Sequence, residues 1–309
     1  MDQPILKHLN ALNLIPEVGQ LALAKLLKYF KKDIALVWKS SFSELKQTEI
    51  QDFQIKAILD SQNKIQPDKE WEKLIKEKVQ IITIEDDDFP KDLRHIYYPP
   101  TILYFKGSLS PKKNCFAIVG TRLPSDYGKS ITPVLTKDIC SAGFTIVSGL
   151  AIGIDAIAHE STIENKQRTI GIIACGLDRE SFYPKDNLKL FDRMIENGAV
   201  ISEFPIGTKV SKEKFPMRNR LISGMSKGIL IIEADIKSGA MITARLGLEQ
   251  NKDIFAVPGN ILSKNSRGTN LLIKQGAKLV SSAQDILEDY ELSVFDRLQI
   301  QRQDNKYNQ

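Results

Sequence analysis

The sequence has few cysteines, and none is placed for a disulfide framework or a metal site. Cys115, Cys140 and Cys175 are the three cysteines of the 309 residues, and no two form a CxxC pair. An odd, sparse set argues against structural disulfides and indicates a reducing compartment. The histidines are equally scattered, and the pair His159–Glu160 has no second histidine at helical spacing. We therefore expect no metal ligands in this chain.

Long apolar segments are also absent. No apolar run approaches the roughly 20 residues that span a bilayer. The first ten residues, MDQPILKHLN, lack the basic region and apolar stretch of a signal peptide. These absences predict a cytoplasmic protein without a membrane partner. The hydrophobic content of 42% and charged content of 26% are ordinary for a globular protein, and the net charge of +5 is only mildly basic.

Three regions can be distinguished along the chain. Residues 1–68 show helical periodicity, with two apolar segments hinged at Pro16–Gly19. This pattern suits either a helix-hairpin-helix or SAM-like unit that approaches phosphates, or a plain helical hairpin that packs on the main domain. Residues 79–290 alternate between short apolar runs and amphipathic helices. Residues 291–309 are polar and are expected to form a flexible tail.

The alternating pattern of residues 79–290 predicts an α/β fold with a doubly wound, mostly parallel sheet. The nine predicted strands are Val79–Ile84, Ile102–Phe105, Phe116–Val119, Thr145–Val147, Ile170–Ala174, Val200–Ser202, Ile229–Ile232, Ile254–Val257 and Leu279–Val280. The predicted helices between them include Tyr127–Ala142, Asp155–Asn165, Leu188–Asn197 and Met241–Gln250. Such sheets bind ligands at the carboxyl ends of their strands, so candidate site residues are sought there.

Small residues, hydroxyls and cations follow several of these strands. Glycine turns let backbone amides approach an anion, and a following helix adds its positive end. The candidates in three of these loops are Gly120, Thr121 and Arg122, then Ser148, Gly149 and Gly153, and then Lys237, Ser238 and Gly239. Asp155 suits a helix N-cap, and His159 is expected to form a bond within the core.

A fourth loop contains the densest group of cations. Five cations and one anion lie between positions 211 and 227, and the candidates there are Lys212, Phe215, Arg218, Asn219 and Arg220. Cations that follow phosphates and an aromatic ring that stacks on a base are typical of single-stranded nucleic acid binding. The alternative is a solvated basic helix start with Phe215 buried. Because cations oppose the dipole at a helix N-terminus, a polyanionic partner would relieve the conflict. Several loops suited to anion binding follow strands that end at one edge of the predicted sheet. Together they indicate an extended ligand that carries several phosphates.

Six ordered motifs carry a family resemblance. They are VGTR (119–122), SGLAIGIDAIAH (148–159), ACGLD with YPKDN (174–187), SEFPIGT with FPMRNRLISGMS (202–226), EADIKSGAMITAR (233–245) and FAVPGN with SRGTNLLIKQGA (255–277). Together they resemble the DprA/Smf family over about residues 80–290.

The resemblance implies a single-stranded DNA-binding protein, without catalytic residues or a cofactor, on an extended Rossmann fold. It further implies a homodimer that takes over DNA from single-strand-binding protein and passes it to RecA during natural transformation and recombination. By motif position, Arg122, Lys212 and Phe215 are its expected DNA contacts. Many members also carry a C-terminal winged-helix-like domain, which has no counterpart here, so any function of that domain is in doubt.

An enzymatic alternative is a phosphoribohydrolase of the LOG type, whose fold is similar. That family carries PGGxGTxxE, whereas the comparable turn here reads EADIKSGAMITAR, and no second carboxylate is paired by spacing with Glu203 or Glu233. Release of adenine from AMP would indicate this activity. An NAD-dependent dehydrogenase is not expected, because no strand is followed by GxGxxG.

Overall fold

The computed structural model describes residues 3–109 and 114–290. Contacts between residues divide the chain into two compact units. The small unit comprises residues 1–106, 174–182 and 201–210, and the large unit comprises 107–173, 183–200 and 211–309. The predicted tail, 291–309, lies outside the described residues. In the described ranges, no helix is both long and apolar enough to cross a bilayer.

The small unit is mainly helical, as the sequence predicted for its N-terminal part. Its helices are α1 (Gln3–Asn13), α2 (Gln20–Phe30), α3 (Phe42–Lys46), α4 (Asp52–Ser61) and α5 (Pro67–Lys76). Two strands follow, β1 (Gln80–Thr83) and β2 (Ile102–Gly107), and they pair antiparallel with Ile82 opposite Leu103.

The turn between α1 and α2 is fastened to β2 by buried polar side chains. The Gln20 carboxamide oxygen accepts a hydrogen bond from the Thr101 amide at 2.8 Å, and its nitrogen donates to Asn13 at 3.2 Å. The Tyr104 hydroxyl donates to Asn10 at 2.9 Å. Buried polar groups of this kind are costly to leave unpaired, so the hairpin is fixed in place. The hairpin thus packs on the segment that holds Thr101 and Tyr104, and its approach to phosphates stays a prediction.

The hydrogen bonds of Thr101 and Tyr104 to α1 and α2 account for the position of the boundary after Lys106. The sequence predicted a boundary between residues 68 and 79, whereas the contacts place it after Lys106. Strands β1 and β2 belong with the helices because Thr101 and Tyr104 bond to α1 and α2. Periodicity alone cannot report such long-range bonds.

The large unit is built on parallel strands. They are β3 (Cys115–Val119), β4 (Thr145–Ser148), β5 (Thr169–Ile173), β7 (Gly228–Ile231), β8 (Asp253–Ala256) and β9 (Lys278–Leu279), with Gly198–Val200 of β6 (Gly198–Ser202) beside β5. The order is β5-β4-β3-β7-β8-β9, and each of these pairs is parallel. The nine predicted strands are all present, within two residues at either end. The mostly parallel α/β fold is therefore confirmed.

Helices pack on this sheet. They are α6 (Asp126–Ser141), α7 (Ile154–Glu164), α8 (Leu188–Asn197), α9 (Lys214–Met225), α10 (Gly239–Glu249), α11 (Arg267–Lys274) and α12 (Gln284–Leu287). Helix α10 begins two residues before its predicted start, because Ser238 has the extended conformation of an N-cap residue.

An aromatic cluster anchors one side of the sheet. The Phe116 ring on β3 lies 5.5 Å from Phe144 and 5.7 Å from Phe255, between ring centroids. Tyr290 packs on the same cluster, and its hydroxyl donates to Asp253 at 2.9 Å. Strand β3 is buried along its whole length, as expected for a parallel strand covered on both faces. The core thereby holds the carboxyl ends of β3, β4 and β7 at one edge.

Candidate nucleic-acid interface

A cavity of about 270 Å³ opens at the carboxyl ends of the central strands of the large unit. It is lined by the end of β3 and its loop, by the turn before α7, and by the starts of α9 and α10. The lining residues are Val119, Gly120, Thr121, Arg122, Ala151, Asp155, Phe215, Arg218, Asn219, Ile222, Ser238, Gly239, Ala240 and Thr243. A volume of this size is at the lower limit for small-molecule sites, so it accommodates part of a nucleotide rather than a large ligand.

The loop after β3 is held on both sides by backbone bonds. The Thr121 amide donates to the Glu233 carbonyl at 2.8 Å, and the Thr121 carbonyl accepts from the Ile154 amide at 3.2 Å. A Cβ on Gly120 would lie 2.6 Å from the Ile154 side chain, so only glycine fits there. Arg122 follows at once and is exposed. The loop is therefore fixed, and it presents the exposed guanidinium of Arg122 at the cavity mouth.

Glu233 fixes the next part of this loop. Its carboxylate accepts from the Ser125 amide at 2.9 Å and from the Ser125 hydroxyl at 2.5 Å. Ser125 in turn caps α6 by accepting from the Gly128 amide at 3.2 Å. The Glu233 side chain, which the enzymatic alternative would need as an acid, is thus engaged in holding two loops together.

The turn before α7 packs closely against the first loop. Gly153 has φ of +85°, a conformation that L side chains rarely adopt, and a Cβ there would lie 2.4 Å from the Thr121 carbonyl oxygen. The Ser148 hydroxyl is buried and donates to the Ile118 carbonyl at 2.6 Å. Ser148 and Gly153 are therefore not part of the cavity lining, but they fix the backbone of the loops that form it.

Arg218 is the central buried cation. Its guanidinium donates to the carbonyls of Gly149, at 2.5 Å, and of Ile172, and its Nε donates to Asn219 at 2.9 Å. The nearby Asp155 carboxylate accepts from the Gly149 amide at 3.1 Å. Burial raises the pKa of Asp155, and the charge of Arg218 opposes that rise. The two buried charges therefore compensate each other through the Gly149 turn.

His159 lies deeper on α7 and is part of this packing. Its Nδ1 lies 2.6 Å from the Thr169 hydroxyl, as the core interpretation predicted. Burial, and secondarily the charge of Arg218, lowers the pKa of His159 to about 3. The ring is consequently neutral at physiological pH.

Phe215 lies between two guanidiniums. The Cζ of Arg122 is 5.0 Å from the ring centroid, and the Cζ of Arg218 is 5.9 Å from it. Both distances are within the range of cation–π attraction. The Phe215 ring therefore connects the exposed arginine to the buried one and limits the positions that Arg122 can take.

The start of α10 closes the other side of the cavity. Its first turn carries no acidic residue, and a Cβ on Gly239 would meet nothing within 4 Å. Among the described residues, the Ser238 hydroxyl is buried without a hydrogen-bond partner. The positive end of the helix and the buried Ser238 hydroxyl suit an anion at this position.

The predicted site residues fall into three groups. Those that line the cavity are Gly120, Thr121, Arg122, Phe215, Arg218, Asn219, Ser238 and Gly239. Ser148, Gly149 and Gly153 contribute through backbone packing. Lys212 and Lys237 are exposed outside the lining, and Arg220 is buried outside it. Sequence reasoning missed the lining residues Ile222 and Ala240, because apolar helix positions have the same pattern whether they face a core or a cavity.

The fold and the cavity define an α/β protein with a candidate binding site at the carboxyl ends of its strands. The family model for DNA recombination-mediator protein A matches residues 80–291. The chain belongs to this family. It is 45% identical to DNA processing protein DprA of Bacillus subtilis over 213 residues, covering 68% of this chain and 71% of that protein. It is 36% identical to protein Smf of Synechocystis over 278 residues, covering 87% and 69%.

Two solved structures are similar as well. DNA processing protein A from Streptococcus pneumoniae superposes with a TM-score of 0.77 at 33% identity, covering 92% of this chain and 96% of that one. DNA processing protein A from Helicobacter pylori, described for its single-stranded DNA binding mode, gives 0.61 at 34% identity, covering 68% and 95%.

The close approach of Gly153 to Thr121 is testable by a matched pair of substitutions. Gly143 also has positive φ but has open space around it, so Gly143→Ala should cost only about 1–2 kcal/mol of unfolding free energy. Gly153→Ala adds a clash with the Thr121 carbonyl and should cost at least about 1 kcal/mol more. Urea unfolding of both variants measures the difference, and equal losses would contradict the packing described.

Proposed function

We propose that this chain binds single-stranded DNA at the strand-end cavity and acts without catalysis in DNA uptake and recombination. The observation that carries the proposal is the convergence of Arg122, Phe215 and the start of α10 on one cavity. Guanidinium, helix amides and an aromatic ring are the groups that hold phosphates and bases of a single strand. The single-stranded DNA binding mode of the Helicobacter pylori relative supports the same ligand.

The roles of the individual groups follow from their exposure. Arg122 is exposed and is assigned the first phosphate contact. The unpaired hydroxyl of Ser238 and the positive end of α10 are assigned a second one. Lys212 and Lys237, outside the cavity, are assigned to neighbouring phosphates of the strand. The carboxylates of Asp155 and Glu233 both accept internal hydrogen bonds, which supports binding rather than turnover.

Removal of Arg122 tests the proposal directly. Binding of a labelled oligothymidine should weaken in Arg122→Ala, and the slope of log K against log salt should fall by about 0.7 for the lost phosphate contact. Arg193→Ala removes an exposed arginine on α8, away from the cavity lining, and serves as the control. Fluorescence anisotropy over a range of salt concentrations measures both quantities. An unchanged slope in Arg122→Ala would remove this residue from the interface.

The contact between Arg122 and Phe215 predicts that the two residues are coupled. Phe215→Ala alone should lose about 1–3 kcal/mol of binding free energy, because it removes a stacking ring and also releases Arg122. In the Arg122→Ala background the same change should cost less, by about 0.5–1 kcal/mol. The double-mutant cycle is measured by oligonucleotide titration. Strict additivity would show that Phe215 does not position Arg122.

We further propose that this chain, as a homodimer, passes the bound strand to RecA, since the family is that of a recombination mediator. Addition of the chain should shorten the lag of RecA filament formation on DNA coated with single-strand-binding protein. The Arg122→Ala variant should restore part of that lag, because it binds the strand less well. If the chain leaves the lag unchanged, the proposed transfer of the strand to RecA is contradicted, whereas DNA binding is not.

A further inference from the structure

Three adjacent strand-end loops of the large unit present exposed aliphatic side chains. Leu123 follows β3 and is 79% exposed, Ile236 follows β7 and is 50% exposed, and Ile261 and Leu262 follow β8 at 83% and 85%. Strands β3, β7 and β8 are neighbours in the sheet. We refer to these four residues as the aliphatic ledge. An exposed apolar group of this kind is a common mark of a binding surface.

Each part of the aliphatic ledge has a cation next to it in sequence. Arg122 precedes Leu123, Lys237 follows Ile236, and Lys264 comes two residues after Leu262. All three cations are exposed. Lys264 lies 3.7 Å from Asp235, a surface ion pair that contributes little and is easily exchanged for another anion. Each of the three loops, from β3 to β8, therefore contributes one cation together with one or two aliphatic side chains.

Hydrogen bonds hold these loops beside one another. Asn265, in the loop that follows Leu262, donates from its side chain to the Leu123 carbonyl at 2.9 Å. The Asn265 carbonyl accepts from the Ala234 amide at 2.7 Å, which attaches the β7 loop. The Tyr127 hydroxyl donates to the Pro258 carbonyl at 3.3 Å. The three loops therefore form one continuous rim that begins at Arg122, a residue of the cavity wall.

We propose that the aliphatic ledge is a second nucleotide-binding surface, which contacts the bases of a single strand while the adjacent cations bind its phosphates. The proposal rests on the proposed function and extends it beyond the cavity. Loops that each carry a cation beside an apolar side chain suit an unpaired strand, in which every nucleotide carries a phosphate beside an exposed base. A duplex stacks its base faces inside, so it offers the ledge phosphates alone.

The dimensions of the sheet set the length of DNA that the ledge takes. Adjacent strands lie about 4.8 Å apart, so the loops after β3 and β8 are separated by about 10 Å. At roughly 3.4 Å per stacked nucleotide, this distance corresponds to about three nucleotides. The ledge thereby continues the strand path from the cavity mouth in the direction of β8.

The experiment compares two oligonucleotides that differ only in their bases. One is a labelled oligothymidine of fifteen nucleotides (about five times the length assigned to the ledge), and the other has the same backbone with every base removed. Leu123→Ser, Ile236→Ser and Leu262→Ser are each tested by anisotropy. Each should bind oligothymidine about fivefold more weakly, because apolar contact with a base is lost, and should bind the abasic strand like the unsubstituted chain.

A matched control is available on α6, where Val134 is 54% exposed and lies on no strand-end loop. Val134→Ser should leave both affinities unchanged. Equal losses on the two oligonucleotides would mean that the substitutions disturb the loops. No loss on either oligonucleotide would mean that the aliphatic ledge does not contact DNA. Both outcomes overturn the inference.

If the unsubstituted chain binds the abasic strand with a steep salt slope, the proposed function stands whatever the ledge variants show. If it binds neither strand, both proposals fail.

Discussion

The candidate site depends on one buried guanidinium. Arg218 bonds to the carbonyls of Gly149 and Ile172, at the ends of neighbouring strands, and so joins the start of α9 to the sheet edge. Residues from three loops can converge on the cavity only while this junction is intact. Replacement of a buried charge by a neutral side chain would leave those carbonyls and Asp155 without compensation, which is among the costliest changes in a protein interior. Arg218 is therefore structural first, and it also packs against the Phe215 ring, with its Cζ 5.9 Å from the ring centroid.

Arg218 also explains why a carboxylate, that of Asp155, lies at a site proposed to bind anions. A guanidinium that is buried needs a nearby negative charge or several hydrogen bonds, and Arg218 has both. The consequence is that the positive charge of Arg218 is largely balanced inside the protein. In the proposed function, phosphate is therefore assigned to the exposed Arg122 and to the start of α10 rather than to Arg218. This division explains why the buried Arg218 is not the arginine assigned the principal contact.

Sequence reasoning recovered the strands and loops but not the burial of the cations. Apolar runs bounded by glycine turns located nine strands within two residues, because parallel strands are buried on both faces and leave a continuous hydrophobic signal. The same logic placed Gly120 and Gly153 at strand ends. It could not show that Arg218 and Arg220 point inward, since a cationic helix start has the same pattern whether it is solvated or buried. Nor could it find the bonds from Gln20 and Asn10 to β2, which link positions more than 80 residues apart.

The site and the aliphatic ledge together favour a polymer over a mononucleotide. A cavity of about 270 Å³ encloses only part of a nucleotide, so a single nucleotide would gain little from the exposed cations beyond it. A strand that leaves the cavity past Leu123 meets Lys237 and then Leu262 and Lys264 in succession. Each contact is weak alone, but the second and third form within a molecule already bound and therefore avoid a new loss of translational freedom. Affinity built in this way grows with strand length and depends little on sequence.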